Sequence, residues 1–209
     1  MMSKMKKIVI ILIGIISALS CVQSNDSKMD MNNEVIEAMK SRRAIRKYKP
    51  EIVDSKVLEK IIECGVNAPS ALNKQSWEIR VVNNPEILEK IKDALVASNP
   101  ESNPEEVRDC FRQARTVLFI ANDTTFPFSP VDCGLMAENM ILSAWSMGIG
   151  SCCLGGPARF MTSNAEAAKY LKEMGFSENY ELLLCIGFGY PAETPKAKPR
   201  NTEKVKFMD

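Results

Sequence analysis

Residues 130–147, PVDCGLMAENMILSAWSM, constrain the fold more than any other stretch of this sequence. Their spacing predicts a helix, and apolar side chains occur nearly all the way round it instead of along one stripe. A helix of this kind is buried inside a protein. We therefore expect a central helix that is covered by other elements on several sides.

The segments around this helix alternate between two patterns of apolar residues. Amphipathic helices are predicted at residues 32–42, 54–66, 85–95, 103–114 and 164–176, the second of them capped by Asp54 or Ser55. Strands are predicted at residues 77–82, 116–123 and 180–191. This order predicts an α/β protein built of mixed helical and sheet layers.

The composition describes one ordinary globular domain and excludes some chemistry. The chain has 209 residues, of which 45% are hydrophobic and 25% are charged. It contains no histidine. Catalytic triads that depend on histidine and most zinc enzymes are therefore excluded.

The N-terminal segment is set apart from the predicted domain. Three lysines precede an apolar run and a stretch of small residues, as in a secretory signal, so we expect a signal peptide at 1–20 and a flexible tether at 21–33 before the domain at 34–209. The run before Cys21 is similar to a bacterial lipobox, although Ala18 replaces the usual Leu, Val or Ile. A membrane anchor is the alternative. We expect an exported lipoprotein facing the periplasm or the cell exterior, or a cytoplasmic protein if the signal does not function.

Charge and cysteine content limit the expected partners. Without residues 1–20 the chain carries 24 basic and 26 acidic residues, which gives no reason to expect nucleic acid as a partner. The six cysteines after Cys21 lie mostly in apolar segments, so we expect buried thiols. A redox disulfide between Cys152 and Cys153 is the alternative, and it would be strained.

Three separated motifs could each hold an anion or a flat polar ring. They are SRRAIRKY at 41–48, with Arg42 and Arg46 four residues apart, NAPSALNKQSW at 67–77, and KPR at 198–200. Each also has a plainer interpretation. The first could be the basic end of a helix, the second a connecting loop, and the third a common tail.

Residues 148–156, GIGSCCLGG, lack the spacing of a dinucleotide-binding fingerprint. Two interpretations remain for this glycine-rich segment. Its backbone could approach a flat ligand closely, or it could pack tightly against the central helix.

Together these four segments resemble, in order and spacing, the FMN-dependent nitroreductase family, over roughly residues 34–200. The resemblance implies a three-layer sandwich with a mixed, mostly antiparallel sheet, and an interlocked homodimer that binds two FMN molecules at its interface. No metal site is implied. Two departures from the family are Ala44, where a serine is frequent, and Gly155, where some members have a glutamate.

The resemblance also assigns roles to residues of this sequence. Arg42, Lys198 and Arg200 would hold the FMN phosphate, and Arg46 would reach the pyrimidine side of the ring. The remaining expected FMN-binding residues are Arg43 and Ala44 in the first motif, Cys153, Leu154, Gly155 and Gly156 along the ring edge, and Pro69, Ser70, Ala71 and Asn73 from the other subunit.

The implied activity is transfer of hydride from NAD(P)H through FMN to a nitroaromatic, a quinone or a similar electron-poor acceptor, by a ping-pong mechanism. The chemistry would occur on the flavin, with no catalytic side chain. One alternative is an exported electron-transfer lipoprotein that binds flavin without NAD(P)H turnover. Another is a member of the same fold that resembles a reductive dehalogenase.

Overall fold

The computed structural model describes residues 32–163 and 165–208. The predicted signal peptide, Cys21 and most of the predicted tether therefore lie outside the described residues. Residues 37–209 form one compact unit, and of the preceding unit only residues 32–36 are described.

The helices follow the predicted order, with two differences. They are α1 (Glu34–Ser41), α2 (Ser55–Val66), α3 (Pro85–Ala97), α4 (Pro104–Arg108), α5 (Ser129–Ser146), α6 (Gly155–Thr162) and α7 (Ala165–Met174). The helix expected over 103–114 stops at Arg108 and continues as a 3₁₀ turn over Asp109–Phe111, and α6 was not predicted. Asp54 caps α2, as expected, by accepting a hydrogen bond from Lys56 N.

Within the described part of the chain, four strands form the sheet: β1 (Trp77–Val82), β2 (Thr116–Asp123), β3 (Gly150–Leu154) and β4 (Tyr180–Gly189). Their spatial order is β1-β2-β4-β3, and every pair is antiparallel. The parallel contact is an isolated bridge between Ala44 and Ser151. β3 was not predicted, because glycine, serine and cysteine form strands weakly unless neighbouring strands hold them in place.

The sheet is covered on both faces, which accounts for the continuous apolar pattern of β2. Successive side chains of a strand point to opposite faces. Leu118 and Ile120 pack in one core with α2 and α5, whereas Val117 and Phe119 pack in a second core with α3, α6 and α7. This arrangement confirms the predicted α/β fold with helices on both sides of a central sheet.

Helix α5 is less buried in the single chain than its sequence predicts. Eight of its 18 residues are buried, it packs mainly against α2, and one side remains exposed. Its exposed large apolar side chains are Val131 and Leu135, next to Phe128 just before the helix. Among the described residues no helix is long and apolar enough to cross a membrane.

Candidate functional site

The first motif is an extended segment beside the sheet, not the continuation of a helix. Helix α1 ends at Ser41, and Ile45 N donates a hydrogen bond of 2.9 Å to Ser151 O of β3. In an extended segment alternate residues share one side. Ile45 is therefore buried, while Arg42, Ala44 and Arg46 line the same cleft.

Gly150 allows this segment to approach β3. A Cβ at that position would lie 2.8 Å from Cγ1 of Ile45, which is closer than real contacts allow. This part of the glycine-rich segment is thus explained by packing.

Arg43 is oriented differently from its neighbours, because its guanidinium donates to Lys40 O and Arg42 O.

The cleft beside this segment has a volume of about 340 Å³. We call it the arginine cleft. Its other walls come from α5 and the sheet, through Gly134, Ala137, Glu138, Ile141, Ser151, Cys152, Cys153 and Leu184. Arg42 Nε is buried and forms an ion pair with Glu138 Oε1 at 3.6 Å, but it makes no hydrogen bond among the residues that the structure describes. A buried cationic N–H without a hydrogen bond is costly, so this atom favours binding of an anion at closer range in the cleft.

A second, larger cleft of about 800 Å³ adjoins the first, with Arg46, Cys152 and Cys153 lining both. We call it the wide cleft. Its other lining residues are Asn103, Glu105, Glu106, Asp109, Cys110, Arg112, Leu154, Gly155, Gly156, Arg159 and Phe160. The structure thus brings together seven predicted residues, namely Arg42, Ala44, Arg46, Cys153, Leu154, Gly155 and Gly156.

Gly155 and Gly156 form the junction between β3 and α6 at the wall of the wide cleft. A Cβ at Gly155 would meet nothing within 4 Å, and one at Gly156 would meet only Phe160 Cε2 at 3.9 Å. Protein packing therefore does not require glycine at either position. The helix begins here without a side-chain cap, so its first backbone N–H groups can reach a ligand in the cleft.

Cys152 and Cys153 are adjacent on β3, and their side chains point to opposite faces. Both are free thiols, with Cys152 buried and Cys153 exposed. Desolvation raises the pKa of both thiols. The six cysteines that the structure describes are all free, with four buried, Cys64 half-buried and Cys153 exposed. The prediction of buried thiols therefore holds for four of these cysteines, whereas Cys64 is only half-buried and Cys153 is exposed.

The loop at 67–77 lines neither cleft, so Pro69, Ser70, Ala71 and Asn73 lie outside the site of their own chain. Instead the loop is fixed to α5 through Asp132. The buried Asp132 carboxylate accepts hydrogen bonds from Ala71 N (3.0 Å) and Ser76 Oγ (2.8 Å). A short 3₁₀ turn then projects Leu72, whose side chain is 85% exposed. The loop is thus a fixed projection on the protein surface.

The C-terminal motif is also separate from the two clefts. Lys198 and Arg200 are exposed and line neither of them. The preceding residues are fastened to the first motif, since Glu193 Oε1 accepts hydrogen bonds from Arg46 N and Lys47 N, and Ala192 N donates to Lys47 O. The tail therefore leaves the domain beside the arginine cleft.

Comparisons with known proteins identify the family to which these motifs belong. Residues 39–190 match the model of the nitroreductase family. The chain belongs to this family. A protein of Methanothermobacter thermautotrophicus, provisionally named NADH dehydrogenase/NAD(P)H nitroreductase, is 31% identical over 173 residues, which cover 81% of each chain. An NADPH-flavin oxidoreductase of Vibrio harveyi is 30% identical over 80% of this chain and 70% of its own.

A solved structure shows the same fold as this nitroreductase-family member. The nitroreductase from Bacteroides fragilis, solved with bound FMN, superimposes with a TM-score of 0.76 and is 26% identical. The alignment covers 85% of the present chain and all of that one.

Five residues that the motifs did not indicate also shape the site of this family member. They are Glu138, Arg112, Arg159, Asp132 and Glu193. Isolated charges on helices and in tails are common on solvated surfaces, so spacing alone did not distinguish these five. Asp132 could have been noticed from the sequence, because an acid in a mostly apolar helix is unusual and usually has a hydrogen-bond partner.

Proposed function

We propose that this nitroreductase-family protein is an FMN-dependent oxidoreductase that takes hydride from NAD(P)H and reduces a nitroaromatic, a quinone or a similar electron-poor acceptor. The observation that carries this proposal is the buried Arg42 Nε, which makes no hydrogen bond among the described residues and lies 3.6 Å from its ion-pair partner Glu138. Its cleft continues past Arg46 to the bare glycine backbone at 155–156. Arg42 is suited to bind a phosphate, and Arg46 together with the glycine backbone is suited to bind a flat ring.

The residues present fit FMN. Arg42 would hold the phosphate, and the tail residues Lys198 and Arg200 would join it from a segment that starts beside the same cleft. Arg46 would face the pyrimidine side of the ring, where its charge stabilises the negative charge that reduction adds. Gly155 and Gly156 leave room for the ring edge.

When bound, FMN supplies two-electron chemistry, by which NAD(P)H, one proton and a nitro group give NAD(P)⁺, a nitroso group and one water. The chain's own contribution is binding, orientation and electrostatics. The thiols of Cys152 and Cys153 stay protonated near neutral pH because desolvation raises their pKa. One open site serves reductant and acceptor in turn, which is the basis of a ping-pong mechanism.

The surface supports a homodimer in which Pro69, Ser70, Ala71 and Asn73 complete the partner's site. Leu72 at the loop tip and Phe128, Val131 and Leu135 at α5 are large apolar side chains that remain exposed in the single chain. The Asp132 hydrogen bonds fix the loop to the same helix. A second copy covering this face would bury these side chains together.

Localisation is a separate proposal, based on the sequence of residues 1–21. We propose export followed by lipidation of Cys21. Mass spectrometry of the N-terminal peptide from membranes would show a lipid-modified Cys21. An unmodified Met1 on protein from the soluble fraction would contradict the proposal.

Steady-state assays of the purified protein test the enzymatic proposal. We expect FMN-loaded protein to oxidise NADH or NADPH continuously once a nitroaromatic or quinone is added, with parallel-line kinetics as both substrates vary. Flavin that is bleached by dithionite but by neither nicotinamide would contradict the proposal and favour an electron carrier.

A further inference from the structure

The wide cleft contains charged residues that the proposed flavin function does not use. Arg112 follows the 3₁₀ turn, and Arg159 and Phe160 lie on α6, within one turn of Gly155 and Gly156. These side chains line the same wide cleft as the glycine edge. They are therefore within the space where an acceptor would lie.

Arg159 has no acidic partner among the residues that the structure describes. Its guanidinium instead lies over the Phe160 ring, with 5.1 Å between Cζ and the ring centroid. A guanidinium stacked on an aromatic ring keeps its N–H edges free for a planar anion.

The acids of the cleft do not neutralise Arg159. Asp109 accepts a hydrogen bond from Arg112 and is thereby paired. Glu105 and Glu106 stand in the first turn of α4, where a helix favours acidic side chains, and neither is in an ion pair with Arg159 among the described residues. Arg46, the other cation of the cleft, is already assigned to the flavin.

We propose that Arg159 binds a carboxylate on the aromatic acceptor, so that the protein reduces anionic acceptors in preference to neutral ones. This inference rests on the proposed function and specifies its substrate class. The guanidinium fork matches a carboxylate, and the half-buried Phe160 ring beside it offers an apolar surface to the acceptor's ring.

The test compares 4-nitrobenzoate with its methyl ester, which differ in one charge. Reduced FMN-loaded protein is mixed with each acceptor in a stopped-flow instrument, and the rate constant of flavin reoxidation is measured without NAD(P)H. In Arg159→Gln we expect the acid-to-ester ratio of second-order rate constants to fall about tenfold, which corresponds to about 1.4 kcal/mol. The ester rate itself should change less than twofold.

Lys169→Gln removes the same charge from an exposed position on α7 and is the matched control. The acid-to-ester ratio of rate constants in Lys169→Gln should equal that of the unaltered protein. Arg159→Lys keeps the charge but loses the fork, so its ratio should lie between those of Arg159→Gln and the unaltered protein. A ratio in Arg159→Gln within threefold of the unaltered value would overturn the inference.

Binding of benzoate and benzamide to the oxidised protein separates this inference from the proposed function. If neither nitro compound reoxidises the flavin, the proposed function fails, whereas titration still decides the subsite. We expect Arg159→Gln to weaken benzoate binding at least fivefold and to leave benzamide binding unchanged. Equal benzoate affinities in the two proteins would overturn the inference.

Discussion

Arg42, Ala44 and Arg46 share one cleft because the chain is extended, not because they share a helix face. The bridge between Ala44 and Ser151 fixes this geometry, and the burial of Ile45 determines which side the arginines take. The four-residue spacing of Arg42 and Arg46 would bring them together on a helix that continued. The helix instead ends at Ser41, and the extended segment brings them to the same cleft.

Arg46 gives the first prediction at this scale. No carboxylate lies within 4 Å of its guanidinium among the described residues, so its charge is available to a ligand. Two charges about 4 Å apart interact by about 4 kcal/mol at an effective dielectric constant of 20, and about 30 mV corresponds to 1.4 kcal/mol for a two-electron couple. After solvent screening we expect Arg46→Gln to lower the midpoint potential of bound FMN by several tens of millivolts.

Potentiometric titration of the FMN-loaded proteins measures this shift. Lys47→Gln removes a neighbouring exposed charge and serves as the control. A midpoint potential in Arg46→Gln within about 10 mV of the unaltered value would remove Arg46 from the flavin site.

Cys153 gives the second prediction, because its exposed thiol lies in both clefts. Desolvation raises its pKa, so the reactive thiolate fraction is small at neutral pH and grows as the pH rises. We expect iodoacetamide to alkylate Cys153 slowly at pH 8.5 in the flavin-free protein, and at least fivefold more slowly once FMN is bound.

Mass spectrometry of the cysteine peptides provides its own control. Cys64 on α2 is half-buried and lies in neither cleft, so its rate should not change with FMN. Equal protection of both cysteines would indicate general tightening of the fold instead of a ligand beside Cys153.

At the scale of elements, α5 connects the core, the clefts and the surface loop. Its buried face packs on α2 and the sheet, Glu138 lies on the wall of the arginine cleft, and Asp132 holds the loop at 67–77. The two acids of this mostly apolar helix therefore each have a role. Glu138 lines the arginine cleft, and Asp132 accepts hydrogen bonds from the loop.

Asp132 gives the prediction for this element. Asp132→Asn keeps the shape but replaces one acceptor oxygen with a donor that faces Ala71 N or Ser76 Oγ. Loss of a buried hydrogen bond of this kind costs about 1–3 kcal/mol. We expect urea titration to show this loss in the free energy of unfolding, with an unchanged m-value.

Glu63→Gln alters an exposed acid on α2 that pairs with Lys60, and its stability should change by less than about 0.5 kcal/mol. An Asp132→Asn protein as stable as the unaltered one would mean that the loop is held by other contacts.

The elements also show what the sequence can and cannot predict. Strands β1, β2 and β4 and helices α2, α3, α5 and α7 carry clear apolar patterns, either periodic or continuous, and all were predicted. β3 exists because β4 pairs with it. The sequence did not distinguish the 3₁₀ turn after α4 from a longer helix, because both helix types place residues i and i+3 on a similar side. The contributions of Glu138 and Arg159 depend on contacts between distant segments, which no local pattern contains.

In the whole molecule, the proposed homodimer requires that one chain supply only part of the site. Arg42, Arg46 and the glycine edge line the clefts, whereas the residues at 69–73 line neither of them, and Leu72 among them is exposed. We expect a chain lacking residues 1–27 to be a dimer in sedimentation velocity, since none of these groups lies in the deleted segment.

Leu135→Glu places a charge among the exposed apolar side chains of α5 and should weaken the dimer and FMN binding together. Glu63→Gln lies elsewhere and should leave both unchanged. A truncated protein that sediments as a monomer and still binds FMN stoichiometrically would show that the loop does not complete a partner's site.

Calorimetric titration of flavin-free protein with FMN measures whether the two adjoining clefts form an FMN site. We expect one FMN per subunit, with riboflavin bound more weakly because it lacks the phosphate. In Arg42→Ala, FMN affinity should fall at least about tenfold and riboflavin affinity should stay the same, since charge-assisted contacts contribute about 1.5–3 kcal/mol. Equal affinity of the Arg42→Ala and unaltered proteins for FMN, or no FMN binding by either, would contradict the account.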